Sequence, residues 1–277
     1  MNSIGFSWNI LSDLAAMWQY DFMRHAFEAG TIVAIVAGVI GYFIVLRRSS
    51  FAAHAMAEIG FAGAAGAVLL GINPIVGLLV FTCGGSFAIA SLGRKAADRD
   101  VQIGTVLAFM LGLGVLFISL YSGYATEAYS LLFGEILGIS STDVLVTLIA
   151  GAVLLVAVAV LYRPMLFASL DEDVAEAKGL SIFWIGVAFM LLVAITTSVS
   201  VQVVGVLLIF ALMVTPAATA QLIAKRPMQG IAISVAIALL ATWVGLFISF
   251  YLPYPVSFFI TGITFLVYVT VRFIFNS

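Results

Sequence analysis

His54 and Glu58 stand one helical turn apart in "FAAHAMAEIGFAG", residues 51–63, where every other side chain is apolar or absent. A spacing of four puts both on one face of a helix, where neighbouring side chains converge. An imidazole nitrogen and a carboxylate oxygen suit Zn²⁺, and also Mn²⁺ or Fe²⁺. Two ligands are too few for a closed tetrahedral site. The pair therefore fits a site that must release what it binds, or one that a second copy completes. Two other readings stay open: a hydrogen-bonded pair that locks helix packing, and a proton-relay pair in a carrier.

What surrounds this pair decides how costly it is. The chain has 277 residues, of which 64% are hydrophobic and 9% charged, with a mean hydropathy of +1.24. Soluble domains carry roughly 25% charged residues, so most of this chain is adapted to a medium other than water. Apolar runs recur along the whole length at about the 20 residues a helix needs to cross hydrocarbon. The alternation of a membrane-spanning β-barrel is missing. The fold class is all-α, a polytopic transmembrane bundle of eight or nine spans. Candidate spans are 27–46, 52–71, 74–92, 102–121, 143–162, 181–200, 203–224, 229–252 and 256–274.

Charge placement orients the bundle. Arg47, Arg48, Arg94, Lys95, Arg99, Arg163, Lys178, Lys225, Arg226 and Arg272 all fall on one side under this assignment, and Arg24 is the exception. The positive-inside rule makes that side cytoplasmic. Nine crossings would put the N-terminus outside and the C-terminus inside. The opposite side receives "GINP", "YSGYATEAY", "SVSVQ" and "YLPYP", with no Lys or Arg. If only eight segments cross, the exception is expected at 203–224, because Pro216 beside Thr215 interrupts the helical ladder at depth. The stretch "SLLFGEILGISS", 130–141, reads as a partial helix dipping in from outside.

Residues 1–22 lack the basic n-region of a cleaved signal peptide and, with Trp8, Trp18 and Tyr20, read as an interfacial segment. Residues 23–277 read as a single transmembrane domain with a cytoplasmic loop at 163–180. Cys83 is the sole cysteine, which excludes an intrachain disulfide and a thiolate metal cluster.

Within that frame Glu58 lies roughly 15 Å beyond Arg48 along a continuous helix, near the bilayer midplane. Holding an acidic side chain there costs on the order of 2.5–3.5 kcal/mol even on lenient insertion scales. Ala53, Ala57, Gly60, Gly63, Ala64, Gly66 and Ala67 line the same segment. Such residues let helices approach closely, so this span is expected inside the bundle rather than against lipid. His25 and Glu28 are better read as an interfacial pair than as a metal-receiving one. Glu127 and Glu135 are better read as solvated surface, and Cys83 as a small hydrophobe.

In "DEDVAEAKGL", Asp171 is placed to cap a short helix, Glu172 and Asp173 favour its N-terminus, and Gly179 is placed to end it. Composition alone reads this stretch as a solvated loop. No G-x-x-x-x-G-K-[ST] phosphate loop occurs, so the chain has no means of hydrolysing ATP by itself and is not expected to be an enzyme.

Several stretches, in order, resemble the permease subunit of the zinc/manganese/iron ABC-type metal-uptake transporters. They are "FMRHAFEAGTIVAIVAGVIGYFIVLRRSSFAAHAMAEIGFAGAAGAVLLG", "LLFGEILGIS", "DEDVAEAKGL" and "VGVLLIFALMVTPAATA". The resemblance implies a homodimeric or pseudodimeric permease in the cytoplasmic membrane of a prokaryote. It further implies two cytoplasmic ABC ATPase subunits and an extracytoplasmic metal-binding protein as partners. Family members carry Asp-x-x-x-His on the second helix, implicated in passing the cation; here the matching positions read His54-x-x-x-Glu58, the same ligand types in exchanged order. Asp171, Glu172, Ala175 and Gly179 fall on the family's coupling helix, which docks the ATPase. The expected cargo is Zn²⁺, then Mn²⁺, then Fe²⁺, with no permanently bound cofactor and no nucleic-acid partner. The competing functions are a metal-chelate importer of similar architecture, which needs no buried ligand pair, and an ion-coupled secondary carrier.

Overall fold

The computed structural model describes residues 16–91, 96–121, 134 and 136–275. From Asp21 onward the described residues form ten helices: α1 (Asp21–Leu46), α2 (Ser50–Leu69), α3 (Pro74–Ser91), α4 (Ala96–Leu120), α5 (Ser141–Leu170), α6 (Glu172–Ala177), α7 (Ile182–Val204), α8 (Val206–Ile223), α9 (Pro227–Tyr251) and α10 (Val256–Phe275). Trp8 and most of the expected interfacial segment lie outside the described residues, as do Arg94, Lys95 and Glu127. Trp18 and Tyr20, which are described, are exposed.

Local signals explain where the helices begin. Ser140 and Asp143 cap α5 reciprocally: the Ser140 hydroxyl accepts from the Asp143 amide at 3.3 Å, and the Asp143 carboxylate accepts from the Ser140 amide at 3.1 Å. Ser181 caps α7, accepting from the Trp184 amide at 3.5 Å, and Pro227 occupies the first turn of α9, where its missing N–H loses nothing.

Helices α1 and α2 form the centre. Within their spans 67% and 78% of residues are buried, against 17% for α4, 22% for α5 and 11% for α10, which lie at the periphery. α1 packs against α5, α7, α8 and α9, whereas α2 packs against α3, α4, α7 and α8. Glycine makes the closest crossings. A Cβ on Gly63 would run into the carbonyl of Gly77, and one on Gly77 into the carbonyl of Gly63, so α2 and α3 meet backbone to backbone. Gly41 of α1 meets the Met213 carbonyl of α8 in the same way.

The two ends of the bundle are distinct. At one end Arg47, closing α1, reaches Ser169 near the end of α5. At the other, His25 Nδ1 hydrogen-bonds the Ile139 carbonyl at 3.1 Å, Tyr20 stacks near Phe250 at 5.8 Å, and Gly134 packs on the Val204–Gly205 backbone. Arg24, the exception to the charge asymmetry, sits at this second end and is neutralised by Asp21 at 2.6 Å. His25 is thus engaged as a structural tie, and Glu28 is exposed.

The structure differs from the sequence expectation at several places. α8 runs unbroken through Pro216. The proline removes only the hydrogen bond to the Leu212 carbonyl, and the chain instead breaks at Gly205, whose φ of +82° ends α7 one residue before α8. Among the described residues eight helices are long and apolar enough to span a membrane, the proline-containing α8 among them. "SVSVQ" is no loop: Ser198 lies inside α7, its hydroxyl donating to the Ala194 carbonyl at 2.9 Å. The first half of the expected 163–180 loop is helical, because α5 continues through Pro164 to Leu170. Of the expected partial helix at 130–141, residues 130–133 and Glu135 lie outside the described residues, while 136–138 form a turn.

The Gly63–Gly77 crossing is directly testable. Gly63→Ala or Gly77→Ala should destabilise the bundle by about 1–3 kcal/mol, as overpacking does. Gly84→Ala, where an added Cβ meets nothing within 4 Å, should be neutral. Heating the detergent-solubilised protein and following its monodisperse fraction measures both.

Candidate functional site

Along α2, every residue from Ala52 to Ala67 is buried except two, His54 and Glu58. The most central helix of the bundle therefore opens at its two ionisable side chains and nowhere else over four turns. The apolar residues on either side of each, Ala53 and Ala55, Ala57 and Ile59, are buried. The imidazole lies close enough to the carboxylate to act on it electrostatically.

The histidine is oriented by its neighbour across the helix gap. Its ring stands 4.7 Å from the ring of Phe210 on α8, tilted by 54°. Nδ1 of His54 is buried with no hydrogen-bond partner among the described residues. A ring nitrogen without a partner, on a side chain fixed by an aromatic contact, is what an incoming Lewis acid requires. Phe210 lies on the partly open face of α8, together with Ala211, Val214, Thr215, Ala218 and Gln221; the rest of that helix is largely buried. The walls beside the pair are thus α2 on one side and this stripe of α8 on the other. Among the described residues no cluster of three or more His, Cys, Asp or Glu side chains is placed to hold a metal. One chain offers two ligands.

Sequence reasoning missed Phe210, which reads as one more apolar residue in a span. It also missed a run of buried hydroxyls on α7. Ser198 Oγ lies 2.8 Å from Thr82 Oγ1 of α3, while Thr196 and Thr197 are fully buried beside it in sequence. The density of Ser and Thr in "TTSVS" is the only sequence signal for it, and the "SVSVQ" that overlaps it reads as an outside segment.

The second group of predicted residues lies at the basic end. Asp171 caps α6, its carboxylate accepting from the Val174 amide at 3.0 Å. Glu172 is exposed, Ala175 is fully buried, and Gly179 takes φ +83° as the Leu180 amide closes back on the Ala175 carbonyl at 3.1 Å. Ala175 is therefore the contact that seats α6 on the bundle, not part of its outward surface. That surface is made by Glu172, Asp173, Val174 and Glu176.

An all-helical multi-pass bundle with a capped surface helix at its basic end has the form of a transporter permease, and the comparisons agree. Residues 19–275 match the ABC 3 transport family. The chain belongs to that family, and the metal-uptake permease resemblance read from the sequence holds. It is 32% identical over 238 residues to the manganese transport system membrane protein MntC of Listeria monocytogenes, covering 86% of this chain and 85% of the relative. It is likewise 32% identical over 240 residues to the manganese import system permease protein ScaB of Streptococcus parasanguinis, with the same coverage. The structure of PsaBC from Streptococcus pneumoniae in complex with Fab superposes with a TM-score of 0.85 at 29% identity, over 96% of both chains. The chain is a permease subunit rather than an enzyme.

The opening on α2 predicts a labelling pattern. In a Cys83→Ser background, Glu58→Cys and His54→Cys should react with small water-soluble thiol reagents in membranes. Ala57→Cys and Ala62→Cys should stay unlabelled.

Proposed function

We propose that this chain is the permease subunit of an importer that carries a divalent transition-metal cation across the cytoplasmic membrane of a prokaryote. A separate ABC ATPase would supply the energy, and an extracytoplasmic binding protein the cation. The observation that carries this reading is the restriction of the opening on α2 to His54 and Glu58. A carboxylate and an unpartnered imidazole nitrogen at the only break in the buried stretch from Ala52 to Ala67 suit a cation site, whereas a merely structural pair would be sealed.

Because one chain supplies two ligands, the site is best completed by the same pair from a second copy, giving a two-imidazole, two-carboxylate set. Ligand chemistry alone favours Zn²⁺. The named relatives favour Mn²⁺, which the same nitrogen and oxygen donors accept, so Mn²⁺ is the cargo we assign, with Zn²⁺ second. Coupling would run through α6. Asp171 and Gly179 fix its two ends, Ala175 holds it to the bundle, and Glu172 and its exposed neighbours meet the ATPase.

The double variant His54→Ala with Glu58→Ala should abolish radioactive Mn²⁺ uptake while membrane insertion and ATPase co-purification persist. High-affinity uptake retained in that variant would remove the pair from the mechanism. Glu172→Lys should leave ATP hydrolysis running while uptake falls. An unchanged ratio of cation moved to ATP hydrolysed would count against α6 as the docking element.

A further inference from the structure

Arg47 and Arg48 look equivalent in the sequence, a doubly basic turn at the cytoplasmic surface. The structure separates them. Arg48 is exposed, with a backbone φ of +53°. Arg47 turns back into the bundle, where its Nη1 donates to Ser169 Oγ at 3.4 Å and its guanidinium carbon lies 5.1 Å from the centre of the Phe189 ring. Ser169 is on the last turn of α5 and Phe189 is on α7. The backbone of Arg47 closes α1, its amide donating to the Phe43 carbonyl at 2.9 Å. Its own carbonyl accepts from the Ser49 hydroxyl at 3.2 Å, in the turn that starts α2.

Ser169 stands two residues before Asp171, the cap of α6. Lys178, just after α6, places its ammonium 4.9 Å from the centre of the Phe167 ring, binding α6 to the same last turns of α5. α5 itself packs on α1 and α7 rather than on α2. We propose that Arg47 is a positioning residue, the joint that passes displacement of α6 and the end of α5 to the start of α2 and so to the His54–Glu58 pair seven residues on. A guanidinium can stack on a ring through its face while donating from its edge, so one side chain holds two helices at once, which a lysine ammonium does not. α7 also packs directly on α2, so the joint carries a part of the coupling and not all of it.

This inference rests on the permease reading above. The experiment uses the full complex with its ATPase and binding protein in proteoliposomes, comparing wild type, Arg47→Ala, Arg47→Lys and Arg48→Ala. ATP hydrolysis, Mn²⁺ uptake and complex assembly are followed together. Expected is normal assembly and continued hydrolysis in both Arg47 variants, with Mn²⁺ moved per ATP reduced by about tenfold in Arg47→Ala, a typical coupling between sites. Arg47→Lys should show a clear reduction as well, and Arg48→Ala the wild-type ratio. A wild-type ratio in Arg47→Ala overturns the joint, as does an equal loss in Arg48→Ala, which would make the turn's charge the cause. If Arg47→Ala fails to insert, Ser169→Ala combined with Phe189→Leu removes its contacts with α5 and α7 and leaves the cation; the same loss is then expected, and a wild-type ratio overturns the proposal. Absence of ATP-driven Mn²⁺ uptake in the wild type would strike the permease reading itself, a different result from any of these.

Discussion

A carboxylate carried on a helix inside hydrocarbon must be shielded from lipid yet kept within reach of water or an ion, and most of the packing in this bundle follows from that requirement. Shielding demands that other helices come close to α2 on nearly every side. That closeness is available only because α2 is built from alanine and glycine, and because Gly63 and Gly77 let two backbones touch. Access demands that the packing fail somewhere. It fails at His54 and Glu58, the two residues for which exposure is worth something. The insertion penalty of about 2.5–3.5 kcal/mol for the acid is thereby confined to one face that a polar environment or a bound cation can relieve.

Much of this was legible before any coordinates. Nine apolar segments marked nine long helices, most ends to within a few residues and the end of α5 short by eight, since hydropathy reports burial in lipid directly and needs no knowledge of neighbours. The lysine and arginine asymmetry distinguishes two ends, and Arg24 lies at the end opposite Arg47, paired with Asp21. The caps at Asp171 and Gly179 were visible because capping is a local matter of three or four residues. Glu58 and His54 stood out because ionisable groups are rare at such depth. What stayed hidden was set by partners distant in sequence. That Phe210 orients His54, that Ala175 faces inward, and that Arg47 and Arg48 part company each depends on which helix lies opposite. Pro216 misled for a related reason. A proline removes one hydrogen bond, and a buried helix with packed neighbours tolerates that, so the break went to Gly205, where a positive φ is readily reached.

The pairwise packing also divides the bundle in a way that bears on movement. α2, α3, α4 and α7 pack chiefly on one another, and α1, α8, α9 and α10 form a second group. The second group is pinned by polar ties: Ser234 donates to the Gly38 carbonyl at 2.9 Å, Gln221 to the Tyr42 carbonyl at 3.3 Å, and the Trp243 indole to the Thr31 hydroxyl at 2.9 Å. The first has its own, in the Thr82–Ser198 contact. The buried side-chain hydrogen bonds named here lie inside each group, and an apolar seam slides without breaking such a contact, so the boundary between the groups is a soft one. The contact of His54 with Phe210 lies on that seam, α2 against α8. A cation held there would change its surroundings with small relative shifts of the two groups. Arg47 spans the same division from the basic end, with its backbone on α1 and its guanidinium against Phe189 of α7. The helix it turns into, α2, is the one whose displacement would move the site.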